Sequence, residues 1–114
     1  MNNKFKLLDK EKDLLLYMET YILSSIPKTD KTLRQKTSDE LHELIKNTMK
    51  VSVNVGNIKN KALNDIKVNI MMLDFYLSCI YSKKIIINKR YMSSIRLLTE
   101  IKNIVYSLDY KNEK

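Results

Sequence analysis

The chain has 114 residues, of which 44% are hydrophobic, one is a glycine and one is a proline. This length suits one domain with a single modest core, and so few chain-breaking residues favour an all-helical chain over a sheet protein, which needs a turn roughly every 8–12 residues. The single cysteine, Cys79, excludes an internal disulfide. We therefore expect one all-helical domain over residues 1–114, with no leader and no membrane span, in a reducing cytoplasm.

The net charge of +8 lies mainly in the second half of the chain. Residues 1–27 are neutral, residues 28–50 carry +2 and residues 51–114 carry +6. No acidic residue stands between Asp74 and Glu100, a stretch that contains five basic ones. Such an excess indicates either a solvated, lysine-rich surface or a contact with nucleic acid or another acidic partner, and composition leaves both open.

The first predicted helix covers residues 9–26. Its apolar residues have the i, i+3, i+4 and i+7 spacing of an amphipathic helix; they are Leu14, Leu15, Met18, Tyr21, Ile22 and Ile26. Asp9 is the expected cap at its start. Pro27 is expected to end it, because the residue before a proline is pushed out of the α region.

The second predicted helix covers residues 31–55 and directs toward the core Leu33, Leu41, Leu44, Ile45, Thr48 and Met49. Val51, Val53 and Val55 alternate with polar residues, which is the period of a strand. A lone strand among helices would have no partner, so we expect a helix here, with Val53 facing outward or toward a neighbouring subunit. Gly56 is then the expected C-terminal cap of this helix.

The third predicted helix covers residues 60–82 and has the clearest pattern in the chain. Its apolar residues alternate in steps of three and four, the rhythm of a bundle seam; they are Leu63, Ile66, Ile70, Leu73, Leu77 and Ile80. Further apolar residues widen this face beyond one seam, namely Met71, Met72, Phe75 and Tyr76. We therefore expect contacts on more than one side of the helix, since surplus apolar surface often marks an interface.

The fourth predicted helix covers residues 88–110, with Asn88 as its expected cap. Its apolar face consists of Met92, Ile95, Leu98, Ile101, Val105 and Leu108. Four amphipathic segments joined by short connections predict an antiparallel, up-down-up-down four-helix bundle.

The residue types of an enzyme or metal site are missing from the sequence. His42 is the only histidine and stands among acidic residues on a polar helix face, and Cys79 lies in the apolar third helix. Bundle metal sites use inward Glu-x-x-His pairs, and a phosphate-binding loop needs several glycines. We expect no catalytic residue, no metal and no cofactor.

Several features follow one another in a recognisable order. Pro27 is followed by Lys28 and Lys31, and Asp65 stands in a leucine-rich third helix. Residues 84–91 then lead into "RLLTEI" at 96–101. This order resembles the accessory variability determinant family of diversity-generating retroelements, which is related to four-helix bundles encoded in intervening sequences of ribosomal RNA genes. The resemblance covers residues 10–108. The chain lacks the aromatic and Leu-Gly pair that often open the family's second helix, and the Gly-Gly-Trp that often ends its fourth.

The resemblance implies a pentameric, positively charged bundle without a catalytic site. Such a protein binds the element's reverse transcriptase and template RNA or cDNA, and supports mutagenic cDNA synthesis. Among the basic residues, the expected nucleic-acid contacts are Lys59, Lys61, Lys67, Lys83, Lys84, Lys89, Arg90 and Arg96. Tyr81 and Tyr91 flank the acid-free stretch, where tyrosines either stack on bases or sit at a bundle edge. The rival interpretation is an oligomeric protein-interaction bundle whose charge only maintains solubility.

Overall fold

The computed structural model describes residues 3–113, with side chains from 6 to 108. Helix α1 spans Asn3–Tyr17 and continues through a π-helical turn at Met18–Ile22 and a 3₁₀ turn at Leu23–Ser25. Helices α2, α3 and α4 span Lys31–Val53, Gly56–Ser82 and Asn88–Glu113, and a 3₁₀ turn at Lys28–Asp30 precedes α2. No strand occurs between residues 3 and 113, so the prediction of an all-helical, four-helix fold is confirmed.

Side-chain contacts between neighbouring helices show how they run. In α2 and α3, the amide of Asn47 donates to Asn69 at 2.8 Å, and Lys83 pairs with Asp30 at 2.8 Å. A step toward the start of α2 is therefore a step toward the end of α3, so the two helices are antiparallel.

The same reasoning applies to α1 and α4, which close the bundle. Lys10 pairs with Glu100 at 2.8 Å, and the Arg90 guanidinium lies 3.9 Å from the Tyr21 ring centroid. The earlier residue of the first helix, Lys10, thus contacts the later residue of α4, Glu100, and the later Tyr21 contacts the earlier Arg90. Helices α1 and α4 are therefore antiparallel as well, in a molecule with extents of 45 × 24 × 19 Å.

The core follows the predicted seam of α3 closely. Its six residues, Leu63, Ile66, Ile70, Leu73, Leu77 and Ile80, are all buried. The predictions for Met49 and Met92 were wrong, because their side chains are 53% and 54% exposed. Met49 lies about 100° around α2 from buried Thr48, which takes it off the buried face.

The π-helical turn has a physical reason in the spacing of the α1 core. Leu14, Met18, Ile22 and Ile26 are buried and stand four residues apart. In an α-helix of 3.6 residues per turn, a step of four residues rotates the side chain about 40° past alignment. The wider turn, in which the Leu23 N–H donates to the Met18 carbonyl, counteracts this drift and keeps the residues facing inward.

The first helix starts earlier than predicted, at Asn3, so Asp9 is an exposed residue within α1 and does not cap it. Asn88 is the first residue of α4, and its side-chain oxygen accepts a hydrogen bond from the Tyr81 hydroxyl at 3.2 Å. Both caps were predicted from residue type alone. The helices begin elsewhere, since α1 begins at Asn3 and α4 begins at Asn88 itself.

The connection from α2 to α3 corrects the prediction for Gly56. Helix α2 ends at Val53, whose side chain is 81% exposed as expected, and Val55 is extended and 84% exposed. The Asn54 side chain donates to the Lys50 carbonyl at 2.9 Å, so a polar side chain ends α2. Gly56, with φ of +63°, instead begins α3.

The connection from α3 to α4 uses a left-handed residue that is not glycine. Lys84 has φ of +63°, its N–H donates to the Tyr81 carbonyl at 2.9 Å, and the Ile85 N–H donates to the Ile80 carbonyl at 3.2 Å. This is the Schellman pattern that ends many helices. The chain therefore turns at Lys84 although a positive φ is unfavourable for a residue with a Cβ.

A layer of buried polar side chains crosses the middle of the core. Thr48 Oγ1 lies 2.6 Å from Glu11 Oε2 and 3.0 Å from the Leu44 carbonyl oxygen. Glu11 Oε1 is buried without a hydrogen-bond partner. Burial raises the pKa of Glu11 from 4.5 to about 8, against the lowering effect of Thr48. The Thr48 hydroxyl donates to Glu11 Oε2, and this hydrogen bond lowers the pKa of Glu11 by less than burial raises it.

A second group in the same layer joins α2 and α3. Asn47 and Asn69 are both buried, and Asn69 also donates to the Glu40 carboxylate. Buried amides that satisfy one another favour one alignment of two helices over shifted alternatives, because a shift would leave each amide without a partner.

Candidate nucleic-acid interface

Two connections that are far apart in sequence meet at one end of the bundle. Residues 26–31 join α1 to α2, residues 83–91 lead from α3 into α4, and the Lys83–Asp30 ion pair links them directly. Together these segments contain six basic residues and a single acid, Asp30. We call this surface the basic end; its basic residues are Lys28, Lys31, Lys83, Lys84, Lys89 and Arg90.

The basic residues of this end fall into two groups according to whether they contact another side chain. Lys83 is held by Asp30, and Arg90 lies over the Tyr21 ring, so both have structural partners. Lys28, Lys31, Lys84 and Lys89 are exposed, and within the described chain no ion pair or ring contact is found for them. These four lysines are therefore the cations best placed to contact phosphates.

Aromatic rings stand beside the basic end. The rings of Tyr81 and Tyr91 are stacked, with centroids 4.4 Å apart and planes within 3° of parallel. The Tyr81 hydroxyl donates to Asn88, which fixes the orientation of this pair. The tyrosines predicted on either side of the basic stretch are thus brought together, although they stand ten positions apart in the chain.

A shallow concavity of about 500 Å³ lies next to this pair, between α3 and α4. It is lined by Met71, Asp74, Phe75, Ser78 and Tyr91. Phe75 is 61% exposed, which is unusual for so large an apolar ring. Neither Phe75 nor Asp74 was predicted as part of a nucleic-acid site. The one indication in the sequence concerned Phe75, which widens the apolar face of the third helix.

Farther along the same two helices is a groove of about 300 Å³. Ile70, Ile95 and Leu98 form part of its floor. At its far side the ring of Tyr106 lies beneath two cations, with Lys67 Nζ at 5.1 Å and Lys102 Nζ at 5.9 Å from the ring centroid. These cations thus already have an aromatic partner within the protein.

The eight predicted contact residues do not form one continuous surface. Lys83, Lys84, Lys89 and Arg90 lie at the basic end, whereas Lys59 and Lys61 follow the start of α3 at the opposite end. Lys67 and Arg96 lie between the two ends. Lys61 pairs with Asp65 and Arg96 pairs with Glu100, each at 3.0 Å.

The remaining titratable residues singled out in the sequence are spread through the fold. His42 is exposed, with its Nδ1 2.7 Å from the Ser38 carbonyl oxygen, and Cys79 is half-buried. Across the described residues, no three His, Cys, Asp or Glu side chains are grouped as metal ligands would be. No described helix is both long and apolar enough to cross a membrane.

The outer face of α3 carries an exposed apolar stripe. Val68, Met71 and Phe75 are 56%, 68% and 61% exposed and follow one another at helical spacing along one side. The width of the apolar pattern in the sequence predicted contacts on more than one side of α3. The structure places this stripe beside the groove and the concavity.

Comparison with known proteins adds no identity. No protein-family model matches the sequence, and neither a curated protein nor a solved structure matches the chain. The resemblance to accessory variability determinant proteins therefore stays a prediction drawn from the order of features in the sequence.

Proposed function

We propose that this protein is a non-enzymatic accessory protein that binds nucleic acid through the basic end of its bundle. In line with the family resemblance, its partners are the reverse transcriptase of a diversity-generating retroelement and the RNA or cDNA that the enzyme handles. Binding supports cDNA synthesis, and the protein acts as an assembly of several copies, for which the resemblance suggests a pentamer.

The observation that carries the proposal is the meeting of two basic connections at one end. The basic end has six cations and a single acid, and four of the cations are exposed without a protein partner. Phosphate contacts by lysine and arginine supply most of the non-specific affinity of a protein for nucleic acid, because they release condensed counterions. An end with this balance raises the local concentration of a polyanion.

A charge-matched pair of variants tests the proposal. In the first, Lys28, Lys84 and Lys89 are changed to Gln; in the second, the exposed Lys12, Lys46 and Lys50, which lie away from the basic end, are changed to Gln. Each variant has a net charge of +5, from +8 less three. Affinity for a single-stranded RNA is measured by fluorescence anisotropy over a series of salt concentrations.

The first variant should lose affinity and should reduce the slope of log affinity against log salt by about 2, since each phosphate contact on a single strand contributes about 0.7. The second should behave like the unchanged protein at each salt concentration. Equal losses in both variants would mean that net charge alone, and no particular surface, governs binding. Binding that does not depend on salt would contradict the proposal directly.

The exposed stripe of Val68, Met71 and Phe75 favours a second candidate, a protein-interaction bundle without nucleic-acid binding. In that case the lysine variants leave partner binding and assembly unchanged, whereas Met71→Lys on the stripe disrupts them. Light scattering on the lysine variants and on Met71→Lys, together with the anisotropy measurements, separates the two candidates.

A further inference from the structure

The stacked pair of Tyr81 and Tyr91 lies where the basic end meets the concavity between α3 and α4. Tyr91, whose ring stacks on that of Tyr81, lines the concavity beside exposed Phe75. A planar molecule in this concavity would contact both of these aromatic side chains. Every nucleobase has the flat π-face that such a surface accepts.

Asp74 and Ser78 give the concavity its polar character. A carboxylate only accepts hydrogen bonds, and it accepts best from two N–H groups side by side. Among the bases, guanine presents two adjacent donors on its Watson–Crick edge, whereas the single imide donor of uracil stands between two carbonyl oxygens. A base reaches such a concavity only when its edge is unpaired.

The charges around the concavity agree with this arrangement. Asp74 lies within the concavity, while Lys84 and Lys89 lie beyond it at the basic end, on the connection and the first turn of α4. A strand that placed one base beside Asp74 would keep its phosphates near the lysines and away from the carboxylate. Separate regions for base and backbone are typical of proteins that bind single strands.

We propose that this concavity holds one unpaired base of a single-stranded nucleic acid, with a preference for guanine, while the adjoining phosphates contact the basic end. The inference rests on the nucleic-acid function proposed above and assigns it a substrate class. Phe75 and Tyr91 provide stacking surface, Tyr81 holds the Tyr91 ring in place by stacking on it, and Asp74 accepts the hydrogen bonds that select the base.

Binding of three probes tests the inference. They are a uridine strand of roughly twelve nucleotides, the same strand with one central guanosine, and a duplex of that length, a range that suits a small single-strand site. The variants are Phe75→Leu, Tyr81→Leu and Asp74→Asn, all at exposed positions. Tyr106→Leu is the control, because Tyr106 is 46% exposed but lies on α4 roughly 22 Å from Tyr91.

The single strands should bind more tightly than the duplex, and Phe75→Leu and Tyr81→Leu should each weaken single-strand binding by about ten-fold. Tyr106→Leu should have no effect. The strand with guanosine should bind several-fold more tightly than the uridine strand, and Asp74→Asn should abolish that ratio even if removal of a negative charge tightens both. Circular dichroism confirms that each variant is folded.

The base site would be overturned by equal affinity for strand and duplex, or by equal effects of Phe75→Leu and Tyr106→Leu. Either result would leave the proposed function intact if the lysine variant still reduced binding and its salt slope. Conversely, loss of salt dependence with retained effects at Phe75 and Tyr81 would contradict the phosphate contacts and retain the base site. If none of the three probes binds, both proposals fail.

Discussion

Replacement of Glu11 by glutamine should stabilise the protein at neutral pH. Glu11 is buried, one of its oxygens has no partner, and the other contacts Thr48 at 2.6 Å. Glutamine has nearly the same shape as the protonated carboxyl group, and its amide oxygen can accept the Thr48 hydrogen bond in the same place. The variant thus keeps the packing and removes the group that must bind a proton in order to remain buried.

The size of the effect follows from the pKa of Glu11, which burial raises from 4.5 to about 8. The folded protein therefore holds this proton more tightly than the unfolded chain does, and stability declines as pH rises from 4.5 to about 8. Outside that range Glu11 adds no further pH dependence. Between pH 4.5 and 7 the loss amounts to about 3 kcal/mol, at about 1.4 kcal/mol for each pH unit.

The assay is urea denaturation of both proteins at several pH values from about 4.5 to 8, with the difference in unfolding free energy plotted against pH. Taking the difference removes groups common to both, such as Glu100, whose pKa is lowered by its hydrogen bond to Lys10. The advantage of Glu11→Gln should be near zero at the acidic end and should grow with pH. A difference that stays constant with pH, or a variant less stable at pH 7, would contradict a raised pKa of Glu11 in the folded protein.

Three further changes test the connections and the polar layer. Lys84→Gly should raise the unfolding free energy by about 0.5–1 kcal/mol, because glycine adopts a φ of +63° without the strain of a Cβ. Gly56→Ala should lower it by about 1 kcal/mol from backbone strain alone, since an added Cβ meets no atom within 4 Å. Asn69→Ala should cost about 1–3 kcal/mol, because Asn47 and Glu40 lose their buried partner; thermal and urea unfolding measure all three.

The sequence predicted the fold because burial in a bundle depends on periodicity, which the sequence displays directly. The seam of α3 repeats in steps of three and four over five turns, and its six residues are all buried. One glycine and one proline left few places for the chain to turn. Where the apolar pattern was broader, as around Met49 and Met92, periodicity could not decide which edge faced the core.

The features that the sequence did not predict depend on contacts between distant residues. Steps of four in α1 indicate a π-helical turn only once all four residues are known to be buried. A lysine carries no signal for the left-handed conformation that Lys84 adopts, because the surrounding Schellman hydrogen bonds impose it. The pairing of Glu11 with Thr48 likewise joins residues 37 apart in sequence.

The candidate site was likewise predicted in part from the sequence, and the rest of it depends on the fold. The charges in the sequence predicted a basic stretch between Asp74 and Glu100, and Tyr81 and Tyr91 were predicted to stand beside its basic residues. Only the fold brings Lys28 and Lys31 to this stretch and separates Lys59 and Lys61 from it, because an antiparallel bundle places alternate connections at opposite ends. Exposure of Phe75 became visible only when the packing of α3 was known.

The central claim, that nucleic acid binds at the basic end, is tested most directly by mapping backbone amide chemical shifts during a titration with single-stranded RNA. The largest changes should occur at residues 26–31 and 81–91, with little change around residues 54–61 at the opposite end. Shift changes centred on residues 54–61, or none at RNA concentrations that saturate the anisotropy signal, would contradict this claim.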